Sequence, residues 1–454
     1  MKFWIHGLLI AGALIAQDSR ETPPQIGTPK PFNVPSGETY QLKNGMRVTL
    51  AQYGSVPIVS VRAVLDFGNA NESADQVWLA DLLAEMMKEG TSTMSAQQVA
   101  NEAARMGGQL SINARSDTSS ASIDVLSEFT PDAVKLIADV LQHPKLPQSE
   151  LERLRGNLLR QLSVQLATPQ AQANQAFAAA LYPDHPYGRL YPTEEQLKKY
   201  RIDDVQKFYG ANVGAQRTHL YLVGRFDPAV KSTIASAFES WVAGPSVRRS
   251  PPQNIAKARS IIVDRPGAVQ STLRLGLPIP LNPPDADYIP LAVTDAILGG
   301  AFTSRITNNI REDKGYTYSP FSQVATRYRA TNWQEAADVT TKYTADSVRE
   351  ILFEVNRLRK DPPDTKELKG VQNYLSGIFV LRNSSNQGII QQMAFVDLQG
   401  LSKDYLKTYV QKVNAVSRSD VQRITETYLD PAKMTLVVVG DKSAIGDSLK
   451  PYLK

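Results

Sequence analysis

The sequence contains no cysteine and only four histidines among 454 residues. Without cysteine there is no disulfide, no thiolate metal site and no lipid-modified thiol, so the fold must rest on its packed core. His6, His143, His185 and His219 lie too far apart along the chain to form a local ligand pair. Charge of one sign is scarce as well. A formal net charge of +5 is small for this length, and basic residues gather only in short clusters such as Arg248-Arg249 and Arg357 to Lys360. No basic stripe interleaves with aromatics, which argues against a nucleic-acid partner. Long apolar runs are missing too. The one sustained run, Phe3 to Ala16, has about 14 residues, short of the roughly 20 that span a bilayer. It follows Lys2 and precedes the polar Gln17-Asp18-Ser19-Arg20, the order of a secretory signal cut after Ala16. A signal anchor is the alternative. Export, to a bacterial periplasm, is the expected location, with no stable membrane span in the rest of the chain.

What is present describes a folded, soluble protein. A hydrophobic content of 42% with 21% charged residues suits a globular chain, and the length suits two or three domains. Proline-rich polar stretches punctuate it: residues 17–37 read as a flexible leader after the signal at 1–16, and residues 244–258 as a linker. They delimit domains at 38–243 and 259–454, and these echo one another. Asp204-Val205-Gln206 precedes an apolar run ending at Gly224, and Asp420-Val421-Gln422 precedes another ending at Gly440, at the same spacing. Thr130-Pro131-Asp132-Ala133-Val134 is answered by Thr344-Ala345-Asp346-Ser347-Val348, and Pro147 with Ser149 and Glu152 by Pro363 with Asp364 and Glu367. The last two read as capping boxes at helix starts. Collinear echoes at one offset mark an internal duplication.

Each unit mixes strands and helices. Tyr40 to Lys43 and Met46 to Leu50 alternate in polarity around Asn44-Gly45, a hairpin signal, and Ile58 to Phe67 is a further strand. Helices are expected at about 76–89, 95–106, 131–142 and 149–165. The fold class is α+β: two homologous domains, each a mostly antiparallel sheet with helices packed on it.

In the helix at about 78–88, Trp78, Leu79, Leu82, Leu83, Met86 and Met87 form an apolar face, with Asp81, Glu85 and Lys88 opposite. Alone, this is an amphipathic surface helix. Its flanks add more: Tyr40 to Val48 before it, Glu89-Gly90-Thr91 closing it, then His185-Pro186-Tyr187-Gly188 and Phe208-Tyr209. The set resembles the pitrilysin/insulinase family of zinc peptidases, from about residue 38 to the end of the chain. In active members of that family this helix carries His-x-x-Glu-His, two zinc ligands one turn apart around a proton-accepting glutamate, and a later helix supplies a third ligand. Here the motif positions read Asp81-Leu82-Leu83-Ala84-Glu85, and Arg160-Gln161 stand where the third ligand is expected. Ala84 cannot move a proton. Asp81 and Glu85, one turn apart, suit a hard cation only with further oxygens, and otherwise a solvated face. No zinc is expected in this chain, and no peptide cleavage by it alone. A Ser-His-Asp arrangement assembled in space stays open, although no Gly-x-Ser-x-Gly elbow is present.

The second half keeps more. Leu298-Gly299-Gly300-Ala301-Phe302-Thr303-Ser304-Arg305 and Ile310-Arg311-Glu312-Asp313-Lys314-Gly315-Tyr316-Thr317-Tyr318 read alone as a glycine turn, a charged helix end and an aromatic strand. No phosphate-loop spacing occurs. The segment resembles the family's C-terminal signature, in which an arginine and a tyrosine seven residues later reach the zinc site. Those positions are Arg311 and Tyr318, with Tyr316 as the fallback. The resemblance implies a zinc-less subunit that binds peptide and closes like a clam with a related zinc-bearing peptidase chain. A structural, assembly or holdase-like protein of the same fold is the alternative.

Overall fold

The structure, a computed structural model, describes residues 34–453 except Arg248 and Asn254. The signal expected at 1–16 and most of the leader at 17–37 lie outside the described residues.

The duplication is written in the order of the strands. The first sheet joins β1 (Glu38–Gln41), β2 (Arg47–Gln52), β6 (Thr218–Gly224), β3 (Ile58–Leu65), β5 (Ser119–Leu126) and β4 (Ser111–Ala114), in that spatial order. The second joins β7 (Arg259–Asp264), β11 (Thr435–Gly440), β8 (Gln270–Ile279), β10 (Ala330–Thr340) and β9 (Phe321–Arg327). From β2 to β4 the first order maps one to one onto the second. β2 and β6 pair in parallel, as do β7 and β11, and every other pair is antiparallel. β1 is an addition to the first repeat.

Central strands β6 and β11 are buried along their whole lengths, which is why they read as near-continuous apolar runs without alternation. The Thr130 and Thr344 echoes mark one local device used twice. Each hydroxyl donates to a carbonyl three residues back, Ser127 O at 2.7 Å and Thr341 O at 2.7 Å, where a short 3-10 turn runs into the helices Thr130–Gln142 and Thr344–Lys360. The hairpin at Asn44-Gly45 forms, but through a longer loop than the dipeptide suggests. Gly45 N–H bonds Leu42 O at 3.0 Å and only Gly45 takes positive φ, at 91°, so a β-turn followed by a left-handed glycine joins β1 to β2.

The paired capping boxes are corrected. In the second repeat Asp364 caps the helix Thr365–Arg382 by accepting Glu367 N–H at 2.7 Å, but the Glu367 side chain turns to Arg305 instead of back to the cap. In the first, the helix Gln148–Leu166 begins one residue earlier, with Pro147 at the cap and no side-chain cap bond.

The repeats also trade helices. Pro169–Leu181, from the first repeat, packs Ala173, Phe177 and Leu181 on Val437 and Val439 of β11. Asn386–Gln399, its counterpart, packs Ile389 and Ile390 on Ala51, Tyr221 and Val223 of the first sheet. Each sheet therefore has one face covered by the other repeat, and the described residues cluster as one unit. Among the described residues no helix is long and apolar enough to cross a membrane.

Candidate functional site

The motif helix spans Leu79–Met86, shorter than the sequence suggests. Its start is set from outside. Trp78 stands just before it in the left-handed region, at φ 68°, a conformation that a bulky residue adopts only when its surroundings impose it. Glu72 supplies part of that constraint. Its carboxylate, buried, accepts Trp78 N–H at 3.1 Å and Ala80 N–H at 2.8 Å, so it serves the free N–H groups of the helix start from six residues upstream. The Trp78 indole donates to Leu190 O at 2.9 Å. Leu79, Leu82, Leu83 and Met86 fill the core beneath.

Asp81 is half-buried, not on a solvated face. Asn69 Nδ2 donates to it at 2.7 Å and to Glu72 at 3.1 Å, bridging the two acids. Burial holds the Asp81 carboxyl above the usual range and pushes Glu72 up to about 8, with Asp81's charge adding to the latter. Glu85 pairs with Lys88 at 2.7 Å. Ala84 is buried, and Arg160 and Gln161 are exposed on the neighbouring helix. These groups do not fit zinc. The two acids are each engaged by a neighbour, the proton acceptor is a methyl group, and no third ligand converges on them. Among the described residues no cluster of three or more His, Asp or Glu side chains is placed to hold a metal ion.

The second repeat builds its polar site differently. The chain from Ala296 to Gly300 and again from Asn308 to Asp313 widens into π-helical turns, the kind of local irregularity that re-aims side chains. Arg311 lies on the second turn. Its guanidinium carbon sits over the Phe302 ring at 4.4 Å and over the Tyr318 ring at 5.0 Å, and its Nε is 3.3 Å from Glu312. Phe302 and Tyr318 are 67% and 80% exposed, far beyond what a core role would allow. Tyr316 instead stacks on Tyr343 at 4.4 Å, so the register brings Tyr318, not the fallback, against Arg311. Gly315 permits the bend between them with φ 63°.

The turn is firmly anchored. Arg305, buried, makes a two-pronged pair with Glu367 at 2.8 Å per contact and donates to Asp361 O at 2.9 Å. Asn309 donates to buried Glu354 at 2.7 Å and accepts from Lys314 at 2.7 Å. Two exposed rings with a half-buried cation between them are thus held on a rigid base. Stacking uses the guanidinium face and leaves edge N–H groups for a carbonyl, while a phenol offers a proton to a developing oxyanion. Sequence reasoning named Arg311 and Tyr318 but left Phe302 inside a glycine turn.

A third cluster spans the repeats and was not foreseen. His219 Nε2 lies 2.7 Å from Thr49 Oγ1, and His219 Nδ1 lies 3.0 Å from Asp397 on the exchanged helix Asn386–Gln399, poorly aligned for a hydrogen bond. Tyr221 donates to Asp397 and stacks on His219 at 4.0 Å. This is the connectivity of a hydroxyl–histidine–aspartate relay. It cannot serve as one, because Thr49 is buried between strands and shares its hydroxyl with Thr39 at 2.9 Å. Burial lowers the His219 pKa, favouring the neutral ring. The cluster's role is to fasten the exchanged helix to the first sheet. His143 and His185 close a helix and cap a short turn.

The fold and these sites define a class: a duplicated α+β peptidase scaffold whose metal-binding helix lacks its ligands. The family comparisons agree. The family model described as "Insulinase (Peptidase family M16)" matches residues 47–192, and that described as "Peptidase M16 inactive domain" matches residues 199–375. The chain belongs to the insulinase (M16) peptidase family. Among its relatives are the "uncharacterized zinc protease YmxG" of Bacillus subtilis, 23% identical over 86% of this chain and 96% of that protein. The "non-peptidase homolog YmxG" of Helicobacter pylori is 21% identical over 85% of this chain and 90% of that protein. A crystal structure of a peptidase M16 inactive domain from Pseudomonas fluorescens superposes with a TM-score of 0.81 at 21% identity, over 89% of this chain and 98% of that one. A protease from Helicobacter pylori superposes at 0.83 with 19% identity, over 90% of this chain and all of that one (100%). These likenesses establish the fold.

Proposed function

We propose that this chain is the non-catalytic subunit of an exported heterodimeric M16 peptidase, binding peptide and lending Arg311 and Tyr318 to a site on a related, zinc-bearing partner. The observation that carries this reading is the rigidly held Phe302–Arg311–Tyr318 stack, whose two rings are exposed and whose guanidinium pairs only with the neighbouring Glu312 among the described residues. Arg305, by contrast, spends its guanidinium on a two-pronged pair with Glu367 and on the Asp361 carbonyl. In this reading the metal and the proton acceptor belong to the partner. Arg311 donates to a substrate carbonyl and Tyr318 to the oxygen that gains charge when water adds.

The name of the Helicobacter pylori relative, a non-peptidase homologue, favours a second reading: a peptide-binding or assembly protein with no part in cleavage. Reconstitution separates the two. The chain is purified alone and with a related chain that carries an intact His-x-x-Glu-His motif, and cleavage of a quenched fluorescent peptide is followed. The expected result is no cleavage alone, cleavage with the partner, and turnover lowered roughly 10²-fold by Arg311→Ala or Tyr318→Phe. Full turnover in both variant complexes would leave only the second reading.

A further inference from the structure

The second repeat holds a cavity of about 570 Å³ between β9, the helix Tyr288–Asp295 and the helices Thr365–Arg382, Asn386–Gln399 and Tyr405–Ala415. That size suits a small molecule or a short stretch of peptide. Its two ends differ chemically. At one end stands Arg382, exposed, with no ion-pair partner among the described residues. Its charge reaches Tyr409, and beside that ring lies Tyr405, at 6.2 Å between centroids. The hydroxyls of Tyr405 and Tyr409 have no hydrogen-bond partner among the described residues, so this end offers one cation and two free donors. Phe379, stacked on Tyr409 at 4.6 Å, and Phe395 beside Tyr405 make the walls apolar.

The other end is acidic. Asp295 closes the helix that begins at Tyr288, whose ring neighbours Tyr405 and Tyr409. Seven residues of helix separate Tyr288 from Asp295, a rise of roughly 10 Å, which is about three residues of extended chain. Asp295 Oδ1 is held by Ser322 Oγ at 2.6 Å and Trp333 Nε1 at 2.9 Å, which fixes the carboxyl at the cavity wall. Gln391 lines the space with a side-chain amide.

We propose that this cavity binds the C-terminal end of a peptide, with its carboxylate on Arg382, Tyr405 and Tyr409, its last side chain apolar, and its backbone running toward Asp295. An apolar acid such as a fatty acid would satisfy the cationic end and the walls. It would set an alkyl chain against the side-chain amides of Gln323, Gln391 and Gln392, which line the same space, whereas a peptide backbone offers them donors and acceptors. The site is separate from Arg311 and Tyr318, and its test requires no partner chain.

Binding of an N-terminally fluorescein-labelled octapeptide ending in Leu-Ala-Phe is measured by anisotropy on the single full chain, with the free acid and the C-terminal amide compared. The free acid should bind saturably and the amide at least about tenfold more weakly. Arg382→Gln should lower the free acid to the level of the amide and leave the amide unchanged. Arg382 is exposed, and an unchanged thermal melt checks that the variant is folded. Equal affinity for acid and amide, no saturable binding of either, or a variant that weakens both alike overturns the proposal. Decanoate that displaces the labelled peptide more strongly than the unlabelled peptide does also overturns it, assigning the cavity to apolar acids.

Discussion

The two repeats share a strand order and even the same threonine device at a helix start, yet they treat their polar groups in opposite ways. In the first, the groups at the family's metal positions are absorbed: Asp81 by Asn69, Glu85 by Lys88, and Ala84 by the core. In the second, Tyr318 and Phe302 stay exposed with Arg311 half-buried between them, while a layer beneath, from Arg305 to Glu367 and Asn309 to Glu354, carries the structural load. The difference teaches how a site can vanish without its fold. The motif helix is held by Leu79, Leu82, Leu83 and Met86 on its apolar face and by Glu72 at its start. None of these is a metal position, so the metal positions were free to drift.

The strongest way to break the comparison is to rebuild the lost site. Asp81→His, Ala84→Glu and Glu85→His place the family motif on the helix, and Gln161→Glu adds the third ligand. Zinc content after dialysis and zinc affinity by competition with a chelator are the readouts. The wild-type chain should hold no stoichiometric zinc, the triple variant should bind weakly, and the quadruple variant should bind at least about 10²-fold more tightly than the triple. Stoichiometric zinc in the wild-type chain would collapse the contrast between the repeats.

A smaller effect concerns what holds the helix in place. Burial pushes Glu72 up to about 8, well above its unfolded value, so between about pH 4.5 and 8 the folded state binds more protons than the unfolded one. Stability contributed by the protonated form is full below the lower value and is lost as pH rises toward the higher. Glu72→Gln removes that titration. It should flatten the fall in stability between pH 5 and pH 8 by on the order of 2 kcal/mol, read from urea midpoints at each pH. Asp295, pushed up to about 6 by burial, and Glu335, raised further by burial and by Asp295, act in the same direction in the second repeat. The variant should therefore keep part of the wild-type slope. A slope unchanged by Glu72→Gln would mean that Glu72 is not the group that loads the motif helix.

Much of this architecture was legible in the chain because it depends on neighbours in sequence. The spacing from Asp204 to Gly224 and from Asp420 to Gly440 records the run of a helix into a buried central strand in each repeat. Arg311 and Tyr318 were legible only through the family resemblance of their segment, which alone reads as a charged helix end and an aromatic strand. What could not be read depends on distant parts of the chain. Nothing in the composition of Pro169–Leu181 or Asn386–Gln399 tells which sheet each will cover, since an apolar stripe fits either. The approach of Asp397 to His219 follows only from that exchange. Glu72 lies outside any helix, where no capping pattern would seek it, and Asp81 reads as a solvated acid in the sequence because Asn69 reaches it from a separate turn.

The smallest prediction tests the helices on which the repeats differ most quietly. Pro147-Gln148-Ser149 and Pro363-Asp364-Thr365 look alike in sequence, but only Asp364 accepts a backbone N–H, from Glu367 at 2.7 Å. Asp364 is fully exposed, yet that bond and the helix start hold its carboxyl below the usual range. Asp364→Ala should lower the denaturant midpoint measurably, as loss of a helix cap does, whereas Ser149→Ala should leave it nearly unchanged. Both are measured from denaturant midpoints at pH 7. Because the Asp364 pKa is depressed, its contribution is present above the unfolded value and fades as pH falls below it, so the two alanine variants should converge in acid. Equal losses at pH 7 would mean that Ser149 caps its helix after all, and that the repeats begin these helices in the same way.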